Sequence, residues 1–357
     1  MSTTLRRRAA ILLLVLAGCS PAPAVPTSTP LASISIPPGG TVEIGAEGLQ
    51  QHLEALARIA ADHGGTRAAG TAGYAASVDY VVGQLRDMGY TVTTPVVDFT
   101  AFAELPGATL TLEDGTAFAS GRDFRAMLYS ASGDLTAPLA TVGFPDSAGG
   151  EGNQGCDAGD FSAFPRGAIA ITPPGPCFRR QTVLNAVEAG AVALIAVYPD
   201  REPGTALRPT LISPEGIDIP AMTAVTATGD ALLAAAAAGQ GLTVHLETAL
   251  TPATAHSVIA EMPADGGRVA MVGAHLDSVL DGPGLNDDGS GVAAVLEIAR
   301  SLAGGRPAGR LRVGFWAGEE YGIYGSRDYV ESLGSGDVQT PIGYLNLDML
   351  GSRNGVP

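Results

Sequence analysis

Apolar residues recur at helical spacing twice near the start of the chain. Leu49, Leu53, Leu56 and Ile59 form one stripe, and Val78, Val81, Val82 and Leu85 form another. Both predict amphipathic helices, because positions three and four apart share a helix face. Gly89 follows the second stripe as a C-cap, where a left-handed backbone suits glycine. Tyr90 to Val97 is rich in Thr and Val and predicts a strand.

From Glu104 to Thr251 the texture changes. Short β-like runs (Thr109–Leu112, Ala168–Thr172, Val192–Val197) alternate with Gly- and Pro-rich loops. Asp230 predicts an N-cap for a helix over Ala231–Ala238, ended by Gly239. From His256 the pattern changes again. Ser257–Glu261, Val269–Ala274, Leu311–Trp316 and Ile342–Leu347 read as strands, with His256 starting the first. Gly291–Leu302 reads as a helix with Val292, Val295, Leu296 and Ala299 on one face. Apolar strands alternating with a helix predict an α/β fold. The expected architecture is a mixed, mainly parallel central sheet sandwiched by helices, interrupted by a β-rich α+β insertion. Residues 46–103 and 252–357 belong to the first part and residues 104–251 to the insertion.

The first residues add an address. Arg6-Arg7-Arg8 precede Ala9 to Gly18, an apolar run of ten residues. That run is too short to span a bilayer but suits the core of a signal peptide. It ends in Leu16-Ala17-Gly18-Cys19, which resembles the bacterial lipobox. The expectation is a signal peptide over residues 1–18, lipidation of Cys19, and a Pro-, Ser- and Thr-rich tether over residues 19–45. The protein is thus expected to be exported, as a cell-surface lipoprotein or a secreted protein. Cys156 and Cys177 then predict a disulfide, the usual fate of paired cysteines in an oxidising compartment.

Charge narrows the partners. All 20 basic residues are arginines, against 36 acidic ones, for a net charge of −16. Loss of residues 1–18 removes three arginines and leaves 17 − 36 = −19. Nucleic-acid binding needs clustered cations, and so does adsorption to anionic lipid. Both are disfavoured, so membrane attachment is expected only through the lipid.

Candidate chemistry collects late in the chain. His275 and Asp277 sit at the C-terminal end of a buried strand, where α/β sheets gather ligand sites. Residues two apart on a strand point the same way, so the Asp277 carboxylate can reach the outer nitrogen of His275. A core histidine beside a loop aspartate is the plain alternative. Gly282 to Gly291 is a glycine-rich turn carrying Asp287 and Asp288. It lacks the residues of a phosphate loop, and its carboxylates suit a cation. Glu319-Glu320 follow another strand, and Asp348 ends a third. Each alone could be a solvated charge. Together they supply one imidazole and at least three carboxylates, a donor set that suits Zn²⁺.

These runs carry a resemblance. Gly273-Ala274-His275-Leu276-Asp277-Ser278-Val279, Gly284 to Gly291, Trp316-Ala317-Gly318-Glu319-Glu320-Tyr321-Gly322 and Asn346-Leu347-Asp348-Met349 resemble the secreted di-zinc, leucyl-type bacterial aminopeptidases. The opening segment matches too, through Gly64-Gly65-Thr66-Arg67, Gly70, Gly73-Tyr74, Ser77-Val78-Asp79-Tyr80 and Gly89-Tyr90. The insertion resembles the protease-associated (PA) domain at Gly155-Cys156, Asp160-Phe161, Gly167–Ile171, Cys177-Phe178, Asn185-Ala186, Ala189-Gly190-Ala191 and Ile219-Pro220, although Gly175-Pro176 replaces the usual Arg-Gly.

The resemblance implies roles. His275 and Asp348 hold one zinc, Asp287 bridges two, Glu320 holds the second, Glu319 is the general base, and Asp277 supports His275. Spacing alone leaves open which of Glu319 and Glu320 is ligand and which is base. The implied substrates are peptides with a free N-terminus. The pattern departs from the family in one respect. The second zinc there needs a histidine from a late loop, yet this chain has His52, His63, His245, His256 and His275, and none after Asp348. The expectation is a C-terminally truncated chain that holds one zinc well, the second poorly, and is weak or inactive. Competing readings are a non-catalytic lipoprotein acting as a binding module and a glutaminyl-cyclase-like enzyme on the same fold. A carboxypeptidase would need cationic groups to hold a free carboxylate, and few arginines flank the motifs.

Overall fold

The computed structural model describes residues 44–144, 153–199, 205–262, 268–303, 310–334 and 341–352. The expected signal peptide, Cys19 and most of the tether lie outside the described residues. Two helices open the described chain, α1 (Ala46–Asp62) and α2 (Ala72–Asp87). Short strand β1 (Thr91–Thr93) and long strand β2 (Val96–Glu104) follow. The insertion carries β3 (Thr109–Leu112), β4 (Ala117–Ala119), β5 (Phe124–Ala126), β6 (Gly133–Thr141), β7 (Ile169–Thr172), α3 (Arg179–Ala189), β8 (Ala193–Val197), β9 (Ala221–Ala224), α4 (Thr226–Ala237) and β10 (Gly241–Leu246). The chain returns through β11 (Thr248–His256). It ends in β12 (Val258–Glu261), β13 (Val269–His275), α5 (Gly289–Leu302), β14 (Arg310–Trp316), α6 (Glu319–Gly322), α7 (Tyr324–Ser332) and β15 (Pro341–Asn346). Among the described residues no helix is long and apolar enough to cross a membrane.

Five strands form one mixed sheet in the order β1-β12-β14-β13-β15. Pairing is antiparallel from β1 through β12 to β14, and parallel from β14 through β13 to β15. In register, His275 lies opposite Trp316, and Gly273 opposite Asn346. The C-terminal ends of β13, β14 and β15 therefore open on the same edge. Helix α5 packs on β13, and α1 packs on α5. Leu56, Val81, Leu85, Val292, Val295 and Leu296 are buried with Val272, Ala274, Val313 and Phe315. Each such Val, Leu or Phe side chain contributes about 1.5–3 kcal/mol by leaving water.

The strand expected over Tyr90–Val97 is two strands, broken at Thr94-Pro95. Proline has no N–H to give a ladder. Strand β1 stays in the five-stranded sheet, whereas β2 swings out to pair with β11 from Val96↔His256 to Glu104↔Thr248. This ribbon carries the chain into and out of the insertion, and His256 ends β11 rather than starting a strand. The insertion's sheet has eight strands in the order β4-β3-β10-β6-β7-β8-β9-β5. Strands β6 to β9 are parallel, and β7 to β9 are nearly all apolar. Cys156 and Cys177 are joined by a disulfide. Helix α4 starts at Thr226, so Asp230 lies inside it and is not its cap. The earlier start follows from packing: Gly229 seats its bare Cα against Val197, where a Cβ would come within 2.1 Å of Cγ1.

Candidate metal centre

Strand β13 delivers His275 to the sheet edge with 2% of its surface exposed. The ring Nδ1 lies 3.0 Å from the Asp277 carbonyl oxygen. A carbonyl can only accept, so Nδ1 carries the proton and Nε2 faces the site. Around Nε2 stand Asp287 Oδ1 at 2.9 Å, Glu319 Oε2 at 3.9 Å and Asp348 Oδ2 at 3.9 Å. The loops after β13, β14 and β15 thus bring His275, Asp287, Glu319 and Asp348 to one point. Donor atoms of His275, Asp287 and Glu320 lie within 4.8 Å of one another, and so do those of His275, Asp288 and Asp348.

Asp277 acts differently from the sequence expectation. Its carboxylate is 3.7 Å from His275 Nδ1, beyond hydrogen-bond reach, and its backbone carbonyl makes that contact instead. The two carboxylate oxygens accept the N–H groups of Glu319 at 3.1 Å and Glu320 at 3.2 Å. Fully buried Asp277 therefore pins the start of α6, satisfying N–H groups that a helix leaves free. The reach of two oxygens across a turn outweighs the shared face with His275.

Asp288 has a structural job that the sequence reading left unassigned. It is buried and caps α5 by accepting from Gly291 N at 2.9 Å, and it also accepts from His275 N at 3.1 Å. A capping aspartate just before Gly289-Ser290-Gly291 and an apolar helical run is the signal that could have found it. With both oxygens committed to backbone N–H groups, Asp288 is a weaker ligand candidate than Asp287. Two glycines make the turn possible. A Cβ on Gly284, at φ +59°, would come within 2.4 Å of Ser278 Cβ, and one on Gly291 within 2.2 Å of the Leu347 carbonyl.

Burial and mutual repulsion raise the acids of the site. Burial pushes Glu320 up to about 9, with Asp287 and Asp277 adding to the effect. Burial likewise raises Glu319 to about 7 and Asp288 to about 7, and it raises Asp348. Burial opposes charge on His275, but the Asp277 and Asp287 carboxylates outweigh it and hold the imidazole well above its ordinary value. Among the described residues, Glu320 Oε1 is buried without a hydrogen-bond partner. A buried oxygen left unsatisfied costs about 1–3 kcal/mol, so something else must complete it. A divalent cation fits this need, and an imidazole with carboxylates is a donor set for zinc.

His245 and His256 belong to neither cluster. His245 stands 3.7 Å from Asp134 on the insertion's sheet, and His256 Nδ1 bonds the Thr94 carbonyl at 3.1 Å. A cleft of about 1060 Å³ between β1, β12, β14 and α7 lies apart from the site and includes none of its residues. The insertion touches the loop after β13, and the ribbon that leads into it touches α6. Arg125 and Arg208 bind Asp281 on the loop that ends at Asp287. Phe99 of β2 packs on Tyr321 of α6, with ring centroids 5.0 Å apart.

Comparison with known proteins agrees with this geometry. Residues 257–357 match the model of peptidase family M28, and residues 135–232 match the PA domain. An aminopeptidase of Pseudomonas aeruginosa is 36% identical over 329 residues, covering 90% of this chain and 60% of the relative. The probable lipoprotein aminopeptidase LpqL of Mycobacterium tuberculosis is 38% identical over 317 residues, 87% of this chain and 60% of the relative. The chain thus spans about 60% of the length of these relatives. Among solved structures, an aminopeptidase from Aneurinibacillus sp. strain AM-1 superposes with TM-score 0.69 at 28% identity, covering 87% of this chain and 72% of that one. A zinc aminopeptidase from Bacillus subtilis gives TM-score 0.65 at 26% identity, over 87% and 70%. The chain is thus similar to peptidase family M28 over residues 257–357 and to the PA domain over residues 135–232.

Proposed function

We propose that this chain carries the metal-binding part of a zinc-dependent aminopeptidase, which releases N-terminal amino acids from peptides. The observation that carries the reading is Glu320 Oε1, buried and unpartnered among Asp287, Glu319 and His275. His275 and Asp348 would hold one zinc, Asp287 would bridge to a second, and Glu320 would hold that second ion. Zinc bound there would polarise the scissile carbonyl and make water acidic enough to ionise near neutral pH. Glu319 would take the water proton and return it to the leaving amine. A carboxylate so placed can act first as base and then as acid. Asp277 would keep Glu319 and Glu320 aimed into the site, while its carbonyl fixes the tautomer of His275. The acidic surroundings would favour a positively charged α-amino group, which selects chain ends over internal bonds.

Among the described residues each cluster contains a single histidine, His275. The second zinc would therefore be held less tightly than the first. We further propose that residues 46–103 and 252–357 form the peptidase part and 104–251 the inserted part. Residues 1–18 would direct export, and Cys19 would be lipidated ahead of the tether, as the description of the mycobacterial relative suggests. The test of function is hydrolysis of leucine p-nitroanilide by the protein and by Glu319→Gln, each with and without a zinc chelator. Activity that ignores both the substitution and the chelator overturns the reading.

A further inference from the structure

The quartet Gly64-Gly65-Thr66-Arg67 has no part in the chemistry above, yet it lies directly beneath it. Arg67 is 0% exposed and is the bulkiest of the fully buried side chains. It sits in the turn between α1 and α2. Its guanidinium donates from Nε to the Pro283 carbonyl at 2.9 Å, from Nη1 to Leu276 at 2.5 Å and from Nη2 to Gly284 at 2.9 Å. Its backbone N–H donates to Ser278 Oγ at 2.9 Å, and Thr66 Oγ1 donates to the Val279 carbonyl at 3.0 Å. All five contacts fall on one strip of chain, from Leu276 to Gly284. That strip joins His275 to Asp287.

The strip belongs to no helix or strand. Its carbonyls have no ladder, and buried carbonyls need donors. Arginine supplies three from a flat fork; lysine supplies a compact charge that cannot span three acceptors so placed. Arg67 also lies close enough to Asp277 and Asp288 to feel their charge. Burial pulls the guanidinium down to about 10 while these two carboxylates push it up, so it stays charged at neutral pH. It is a buried cation set beneath a cluster of buried acids.

We propose that Arg67 is a positioning residue for the metal centre, holding Leu276–Asp288 in its ligand-presenting shape before any cation binds. The proposal deepens the zinc-centre reading and rests on it for the identity of the cation. A role in packing alone would be met by a side chain of similar length such as methionine, and a role in charge alone by lysine.

The test compares the whole protein with Arg67→Met, Arg67→Lys and Val81→Ala, the last destabilising the core far from the strip. Amide hydrogen exchange is measured with chelator present, and zinc binding is then measured by calorimetry. In both Arg67 variants exchange over residues 276–288 is expected to speed up at least about tenfold, with β7 and β8 unchanged. Zinc affinity is expected to fall about 10- to 100-fold, as for other supports of metal ligands. Val81→Ala is expected to raise exchange around α2 without singling out the strip.

Wild-type exchange over 276–288 and wild-type zinc affinity in either Arg67 variant overturn the proposal, through packing if in methionine and through charge if in lysine. Where Arg67→Met does not fold, Arg67→Lys decides alone. Failure of the unaltered protein to take up zinc overturns the zinc-centre reading only. The exchange comparison needs no metal and still decides whether Arg67 holds the strip.

Discussion

Helix α5 touches two clusters of imidazole and carboxylate, and they are built to opposite plans. On its inner face Glu297 is buried beside His52 of α1. His52 shares a 2.6 Å hydrogen bond with Tyr80, and its Nε2 is 3.5 Å from Glu297. Arg300 closes the balance with two contacts of 2.8 Å to Glu297. Those bonds hold Glu297 below the usual glutamate range. At the N-terminus of the same helix, His275 meets Asp287, Glu319 and Asp348, which pair with no arginine among the described residues, and Glu320 rises to about 9. Both clusters obey the rule that buried polar groups need partners. The first finds them within the protein and is complete. Among the described residues the second leaves Glu320 Oε1 orphaned, at the place where the proposed cation would bind.

The largest expected effect separates the clusters by chemistry. Glu319→Gln should lower kcat on leucine p-nitroanilide about 10²- to 10⁴-fold, the usual contribution of a general base. Zinc content should stay near that of the unaltered protein, since the roles proposed here place no zinc on Glu319. His52→Gln should leave kcat within about twofold, because His52 touches no group of the site. Equal losses in the two variants, read from initial rates, would erase the distinction between a catalytic and a structural cluster.

Next comes Asp277→Asn. It keeps the shape but replaces one oxygen that accepts from the start of α6 with a donor. The metal affinity should fall about 10- to 100-fold by calorimetry. An unchanged affinity would show that α6 holds its glutamates without help.

The third effect is a pH slope. Without metal, Glu320 titrates near 9 when folded and near 4.5 when unfolded. The folded state therefore binds more protons across that window, and its stability should fall as pH rises from about 4.5 to 9. Glu297 has the opposite sign. Its stabilisation is present above its unfolded value and is lost only as pH falls through its lowered folded value. Thermal melts of chelated protein at pH 5 and pH 9 should show the first slope, and Glu320→Gln should lessen it most above pH 7, where Glu319 and Asp288 contribute least. Zinc should also reverse the loss, adding about 2.7 kcal/mol at 100 times its Kd.

The sequence made some of this visible and hid the rest for physical reasons. Leu49 to Ile59 and Val78 to Leu85 announced α1 and α2, because a buried helix face must repeat every three or four residues. The parallel strands were equally plain in their apolar runs, and His275, Asp287, Glu319, Glu320 and Asp348 stood out as charges where those runs stop. The break at Pro95 was harder to see, since Val96 and Val97 continue the β-like pattern and only pairing partners show the chain leaving the sheet. The start of α4 was misplaced because an acidic residue can cap or sit mid-helix, and the contact of Gly229 with Val197 decides. Asp277 was placed beside the right histidine with the wrong atom, since spacing along a strand says nothing of the turn that folds over it. Arg67 stands in the motif Gly64-Gly65-Thr66-Arg67, but its three carbonyl acceptors lie more than 200 residues away in sequence.

The smallest expected effect tests the closed cluster on its exposed side. Arg300 has 52% of its side chain in solvent, whereas Glu297 has 2%. Arg300→Gln removes a screened charge and keeps a donor near the carboxylate, so the cost should be small. Glu297 would keep His52 as a neighbour, and its value should move back up toward the ordinary range, since Arg300 is the main cause of its lowering. Kd for zinc should not change, because the proposed ligands lie on the loops at the sheet edge and not on this turn of α5. Denaturant melts and calorimetry on the same preparation check both parts. A loss of several kcal/mol would mean that Glu297 depends on Arg300 as the open cluster depends on its cation. The two clusters would then differ in the kind of cation they need, not in whether they need one.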